Sequence, residues 1–130
     1  MNPTRFLRLH EVLAIHADQV KRFGGEFGVR DIGLLESAIA QPLSGFGDHL
    51  AHPDLITQAA AYLFHLVKNH PFVDGNKRTG SACALIFLKL NDCETKLTNE
   101  NLIYLALGVG EGKLDKSAIV QVFRETCIFP

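Results

Sequence analysis

The stretch His70-Pro71-Phe72-Val73-Asp74-Gly75-Asn76-Lys77-Arg78-Thr79-Gly80 gathers an imidazole, a carboxylate, a side-chain amide and two cations between two strongly apolar segments. Pro71 has no N–H with which to continue a helix, so His70 is expected at the C-terminal end of the preceding helix, its ring free to enter a cavity. There an imidazole can take the proton of an attacking hydroxyl. Gly75 lets the backbone wrap closely around an anion, and a helix starting near Thr79 brings unpaired N–H groups to it, which makes phosphate the natural guest. Lys77 and Arg78 add positive charge, with Arg able to hold two phosphate oxygens at once. Asp74 is the natural carrier of Mg2+, an ion that prefers one or two carboxylates plus nucleotide phosphates. The set predicts transfer of a phosphoryl or nucleotidyl group. It is not a Walker A loop, because Asn76 precedes Lys77 where that loop requires Gly, and no strand comes before it.

Plainer roles exist for the same residues. His70 could serve only as a cation at a helix end, and Asp74 could pair with Lys77 or Arg78 as a surface ion pair. Phe72 reads as an anchor buried beneath the loop.

The flanking pattern is helical. Leu9, Val12, Leu13, Ile15, His16 and Val20 make one helical face that stops at Phe23-Gly24-Gly25, and Asp31 caps a short helix that ends before Pro42. Gln41 to Pro53, with its Pro and Gly residues, suits a surface loop or short hairpin. Asp54 caps a helix with apolar residues from Leu55 to Val67, which delivers His70. The helix after the loop is apolar nearly all round from Ala82 to Leu90, as expected at the centre of a bundle. Thr98 caps a further helix that Gly108, Gly110 and Gly112 break. Asp115 opens a last one, with Cys127 to Pro130 as a tail. The expected fold is all-α, a bundle of about six helices.

The 130 residues are 47% apolar and 21% charged, matching one folded domain over residues 1–130. A net charge of -1 with a pI near 6.6 offers no positive field for nucleic acid. The apolar run Ala82 to Leu88 is far short of the roughly 20 residues needed to span a bilayer, so no membrane association is expected. Cys83, Cys93 and Cys127 lack metal-ligand spacing and read as inert, and Met1 to Leu13 has no signal-peptide pattern, which points to the cytoplasm. Of the remaining histidines, only His49 and His52 lie close together, without a third ligand. Lys113 and Lys116 read as a solvated face.

The loop from His70 to Thr79 resembles the signature of the Fic/Doc family, specifically its death-on-curing (Doc) toxin branch. The similarity extends to Gly28-Val-Arg-Asp-Ile-Gly-Leu-Leu-Glu-Ser-Ala-Ile-Ala-Gln-Pro42, to Phe46-Gly47 and to Asn69-His70, and so covers most of the chain. The resemblance implies a Fic/Doc (Fido) helical bundle with His70 as general base, Asp74 holding Mg2+, and Gly75, Asn76, Lys77 and Arg78 around the phosphates of ATP. It implies a flap over Pro42 to Asp48, with Leu43, Ser44, Gly45 and Phe46 docking the protein target. The AMP-transferring pattern has Gly where this chain has Lys77, and a second Arg where it has Ser81. Both departures are those of Doc proteins, which are understood to bind ATP the other way round and transfer its terminal phosphate. The implied function is a type II toxin kinase acting on a Ser or Thr hydroxyl of a cytosolic protein such as a translation elongation factor, arresting growth. AMP transfer and a non-catalytic nucleotide- or antitoxin-binding module are the alternatives. The self-inhibitory motif of many Fic proteins, Ser or Thr followed four residues later by Glu and then Gly or Asn, does not occur here. A Phd-like antitoxin is therefore the implied partner.

Overall fold

The computed structural model describes residues 3–46 and 49–128; Gly47 and Asp48, at the far end of the expected flap, lie outside the described residues. The first helix, α1 (Leu9–Phe23), buries Val12, His16 and Val20 along one stripe and ends at Gly24. Helix α2 (Ile32–Ala40) starts where the Asp31 carboxylate accepts the Leu34 N–H at 2.9 Å, and runs into a 3-10 turn over Gln41–Leu43. Pro42 is tolerated there because it sits in the first turn, where its missing N–H has no bond to make. The expected hairpin is present as β1 (Gly45–Phe46) antiparallel to β2 (His49–Leu50).

Helix α3 (Leu55–Asn69) is capped by Asp54, whose carboxylate accepts the Thr57 N–H at 2.8 Å. Helix α4 (Asn76–Leu90) begins at Asn76 rather than near Thr79. Gly75 takes the left-handed conformation at φ 79°, which favours glycine, and its carbonyl accepts the first helical bond from Thr79 N–H at 2.9 Å. Asn76, Lys77 and Arg78 are thus the first turn of the helix.

These two helices pack against each other as the central pair, with α3 also touching α2, α5 (Asn99–Gly110) and α6 (Lys116–Thr126). The short side chains Ala59 and Ala60 of α3 are fully enclosed, as are Leu63 and Leu66, and they meet Cys83, Ala84 and Phe87 of α4 in one core. Truncating Phe87 to Ala would cost about 3–5 kcal/mol through lost burial and the cavity left behind. Although α4 has the longer apolar run, Ile86 and Leu90 on it are exposed, and α3 is the more enclosed of the two.

Three further expectations are corrected. Gly108 does not break α5, which continues to Gly110. A Cβ at 108 would lie 2.5 Å from Leu114 Cδ1, so a larger residue there would have to displace that side chain, where the following loop folds back and donates Lys113 N–H to the Gly108 carbonyl at 2.8 Å. The tail is not free: Cys127–Ile128 forms β4, pairing antiparallel with β3 (Glu94–Thr95), and Cys93 beside it is buried. Lys116 is not on a solvated face either. Its ammonium lies 2.8 Å from both His52 Nε2 and His65 Nε2, joining the base of the hairpin, α3 and the start of α6. Burial first, and the Lys116 charge second, lower the pKa of both rings, that of His65 to about 4.

Candidate active site

His70 follows the last residue of α3 with φ 49° and ψ 53°, a left-handed position that Pro71 then prevents from returning to helix. The helix end is held from outside. Arg30 donates through Nε to the His70 carbonyl at 2.8 Å and through Nη2 to the Asn69 carbonyl at 3.1 Å. These are carbonyls a helix C-terminus leaves unpaired, where a guanidinium is also favoured by the helix dipole. Asn69 donates onward to the Leu34 carbonyl at 2.9 Å, and the N–H groups of Arg30 and Asp31 both donate to the Pro71 carbonyl. The segment following Gly28 is therefore a brace for the loop.

Beneath the loop, Phe72 is fully buried and lies face to face with the His16 ring, centroids 3.7 Å apart and planes 5° from parallel. His16 Nε2 lies 2.7 Å from the Asp74 carbonyl and donates to it, since a carbonyl can only accept. Asn76 is buried and its amide is fully committed: Oδ1 accepts the Phe72 N–H at 2.9 Å and Nδ2 donates to the Phe72 carbonyl at 3.0 Å. Those two bonds fix which end of the amide is which. The remaining Nδ2 hydrogen faces His70 Nδ1 at 3.2 Å, so Nδ1 is an acceptor and the resting neutral ring carries its proton on Nε2. What Asn76 has left for a phosphate is its backbone N–H.

Around the loop lies a cavity of about 290 Å³, bounded by His70 and residues 74–78 and closed by Gly24, Gly25 and Ile103. The unpaired N–H groups of the first α4 turn open toward it. Asp74 is exposed; its Oδ2 accepts the Glu26 N–H at 2.9 Å, and among the described residues neither Lys77 nor Arg78 forms an ion pair with it. Lys77 lines the cavity, but its stem runs alongside Gly110 at the C-terminal end of α5, where the helix dipole favours a cation. Arg78 rests with its guanidinium 4.0 Å above the Phe23 ring. Backbone amides, a carboxylate, an imidazole and two cations thus meet at one opening, a set suited to holding a phosphorylated ligand and moving a proton.

Among the described residues of the expected flap, Leu43, Ser44 and Gly45 do not line this cavity; Leu43 instead borders a separate opening with Pro3 to Arg8 and the first turn of α1. Sequence reasoning missed the positioning roles of His16 and Arg30. The signal for His16 was its place in the Val12, His16, Val20 stripe, since a histidine on an apolar face must find a partner.

The Fic/DOC family model matches residues 6–88. The chain belongs to the Fic/DOC family. Among its relatives is "Toxin Doc" of Mycolicibacterium smegmatis, 51% identical over 69 residues, a match that covers 53% of this chain and 53% of that protein. "Protein kinase doc" of Escherichia phage P1 is 29% identical over 120 residues, covering 92% of this chain and 94% of that one. The all-α bundle and the loop of this Fic/DOC chain lie largely within the matched span, whereas α5 and α6 lie beyond it.

Proposed function

We propose that the chain is the toxin of a toxin–antitoxin pair and transfers the terminal phosphoryl group of ATP to a Ser or Thr hydroxyl of a cytosolic protein, with a translation elongation factor as the target class. The observation that carries this reading is the meeting of unpaired first-turn amides, the Asp74 carboxylate and the His70 ring at one cavity. The names of the two relatives, a toxin and a protein kinase, agree with it, as do Lys77 and Ser81 at the positions where AMP-transferring proteins differ.

In the proposed reaction the amides of residues 76–78 and the Arg78 guanidinium hold phosphate oxygens. The target hydroxyl attacks the terminal phosphorus, the bond to the bridging oxygen breaks, ADP leaves, and the hydroxyl proton passes to His70 Nε2. That ring must first exchange its resting tautomer for one with the proton on Nδ1, which means giving up the 3.2 Å contact with Asn76. Asp74 fits Mg2+: it is an exposed carboxylate at the rim, with one oxygen held by Glu26 N–H and the other uncommitted. When bound, the ion offsets charge on the phosphate oxygens. Lys77 supplies further positive charge at the rim. The hairpin at Leu43 to Phe46 docks the target, and a Phd-like antitoxin restrains the enzyme.

The test is intact-mass analysis of cytosolic proteins incubated with the chain, ATP and Mg2+, beside a His70→Ala control. A gain of about 80 Da that needs His70 is expected for phosphoryl transfer. A gain of about 329 Da would instead mean AMP transfer. No gain on any protein would overturn the enzymatic reading.

A further inference from the structure

An opening of about 790 Å³ lies at the start of α1, bounded by Pro3 to Arg8, the first turn of that helix and Leu43. The phosphate cradle sits beside the other end of α1, about 20 Å away at the rise of a helix. Pro3 to Leu7 forms neither helix nor turn, and one edge of it is already paired. The Asn91 side chain, just past α4, accepts the Arg5 N–H at 2.8 Å and donates to the Arg5 carbonyl at 3.0 Å. The Tyr62 hydroxyl of α3 accepts the Leu7 N–H at 2.9 Å. Extended backbone turns the polar groups of alternate residues to opposite sides, so those of Thr4 and Phe6 point away from α3 and α4, toward the opening. Among the described residues they have no hydrogen-bond partner. An unpaired strand edge is a template for another chain.

The groups around this edge select the chain that fits it. Glu11 has both oxygens in use: Oε2 takes the Arg5 guanidinium at 2.8 Å and Oε1 accepts the Arg8 N–H at 3.0 Å. Arg8 is exposed, and among the described residues its guanidinium has no acidic partner. Leu43 adds an exposed apolar side chain to the lining. We propose that the opening is a docking groove for an extended, acidic segment of a partner protein. The segment adds as a strand along Thr4 and Phe6, sets an apolar side chain against Leu43 and pairs a carboxylate with Arg8. Main-chain bonds supply the affinity, and the two side-chain contacts supply the selection. A second copy of this chain does not fit, because joining two such edges would set Arg5 and Arg8 against the same cations of the other copy. Nucleic acid meets the charge but has no row of N–H and C=O groups for a strand edge. The groove contains none of the cradle's residues, so it stands apart from the transfer chemistry.

Fluorescence anisotropy of labelled probes with the full 130-residue chain, without nucleotide, tests this. The probes are a short peptide alternating glutamate and valine, its lysine and valine counterpart, the acidic peptide N-methylated at alternate residues, and oligothymidylate. The acidic peptide is expected to bind about tenfold more tightly than any of the other three. Arg8→Glu is expected to weaken the acidic peptide about tenfold and to strengthen the lysine peptide. Leu43→Ser is expected to weaken the acidic peptide about fivefold. Both side chains are exposed, so the melting curves of the variants should overlay that of the wild-type chain. Equal binding of the lysine peptide, or an unchanged affinity in Arg8→Glu, would overturn the selection for an acidic segment. Equal binding of the N-methylated peptide would overturn the strand edge, and equal binding of oligothymidylate would reduce the groove to a patch for any anion. No binding of the acidic peptide at about 1 mM would overturn the groove altogether and leave the cradle reading intact.

Discussion

Two histidine-centred places in this molecule are built on opposite plans. At His70 the residue is exposed, its backbone is held left-handed from outside by Arg30, and beneath the surface Asn76 faces its ring while His16 holds the Asp74 carbonyl of the same loop. At His52 the residue is buried and at His65 half-buried, and one ammonium, Lys116, answers both. The first arrangement leaves a titratable nitrogen facing a cavity and puts the structural cost in its supports. The second commits both Nε2 atoms to that ammonium and leaves His52 Nδ1 buried without a hydrogen-bond partner among the described residues. A histidine is available for chemistry here only where its neighbours, and not the ring, satisfy the surrounding backbone.

Breaking the comparison begins with the largest effect. His70→Asn keeps a residue type that tolerates the left-handed backbone but removes the proposed base, so the rate of the proposed phosphoryl transfer is expected to fall about 100-fold or more while the thermal melting curve stays in place. A comparable loss of stability would show that His70 belongs with the enclosed histidines after all. Asn76→Ala strips partners from the buried Phe72 N–H and carbonyl. Equilibrium urea unfolding is expected to show a loss of about 2 kcal/mol, and the transfer rate should drop with it because the loop between His70 and Asp74 loses its anchor at Phe72.

Smaller effects are expected at the second place. Lys116→Met removes the donor shared by His52 and His65 and should lower stability by about 1 kcal/mol in the same unfolding assay, with the transfer rate unchanged. A fall in that rate would mean that the two places are coupled through α3. The pH dependence sharpens the contrast further. The folded-state pKa values of His52 and His65 lie below 6.5, so the unfolded chain binds more protons in the window beneath it. The stability these rings contribute is complete above about pH 6.5 and is lost as the pH falls toward 4. The melting temperature should therefore decline across that window, and less steeply in Lys116→Met, where burial remains but the repelling charge is gone.

Much of this was legible beforehand because it is local. Asp31, Asp54, Thr98 and Asp115 each cap a helix by bonding within the next turn, an arrangement that spacing along the chain already implies. The loop His70 to Gly80 was equally legible, because its reactive groups are neighbours in sequence. Less visible was the start of α4. Apolar periodicity begins only after Thr79, whereas Gly75 sets the cap and Asn76 spends its side chain on Phe72, so the polar first turn carries no periodic signal. Gly108 misled for a related reason: glycine marks a break when a turn needs it, but here it makes room for Leu114.

The amino-acid order by itself determined the helices, their caps and the concentration of chemistry in one loop, since each rests on contacts within a few residues. The tertiary structure alone decided which side chains are free to act. Whether Asn76 faces a phosphate or Phe72, whether Lys116 meets water or two imidazoles, and whether Arg78 rests on Phe23 depend on groups brought together from distant parts of the chain. A polar side chain's role is set by the partners left to it after packing, and packing is a property of the whole fold.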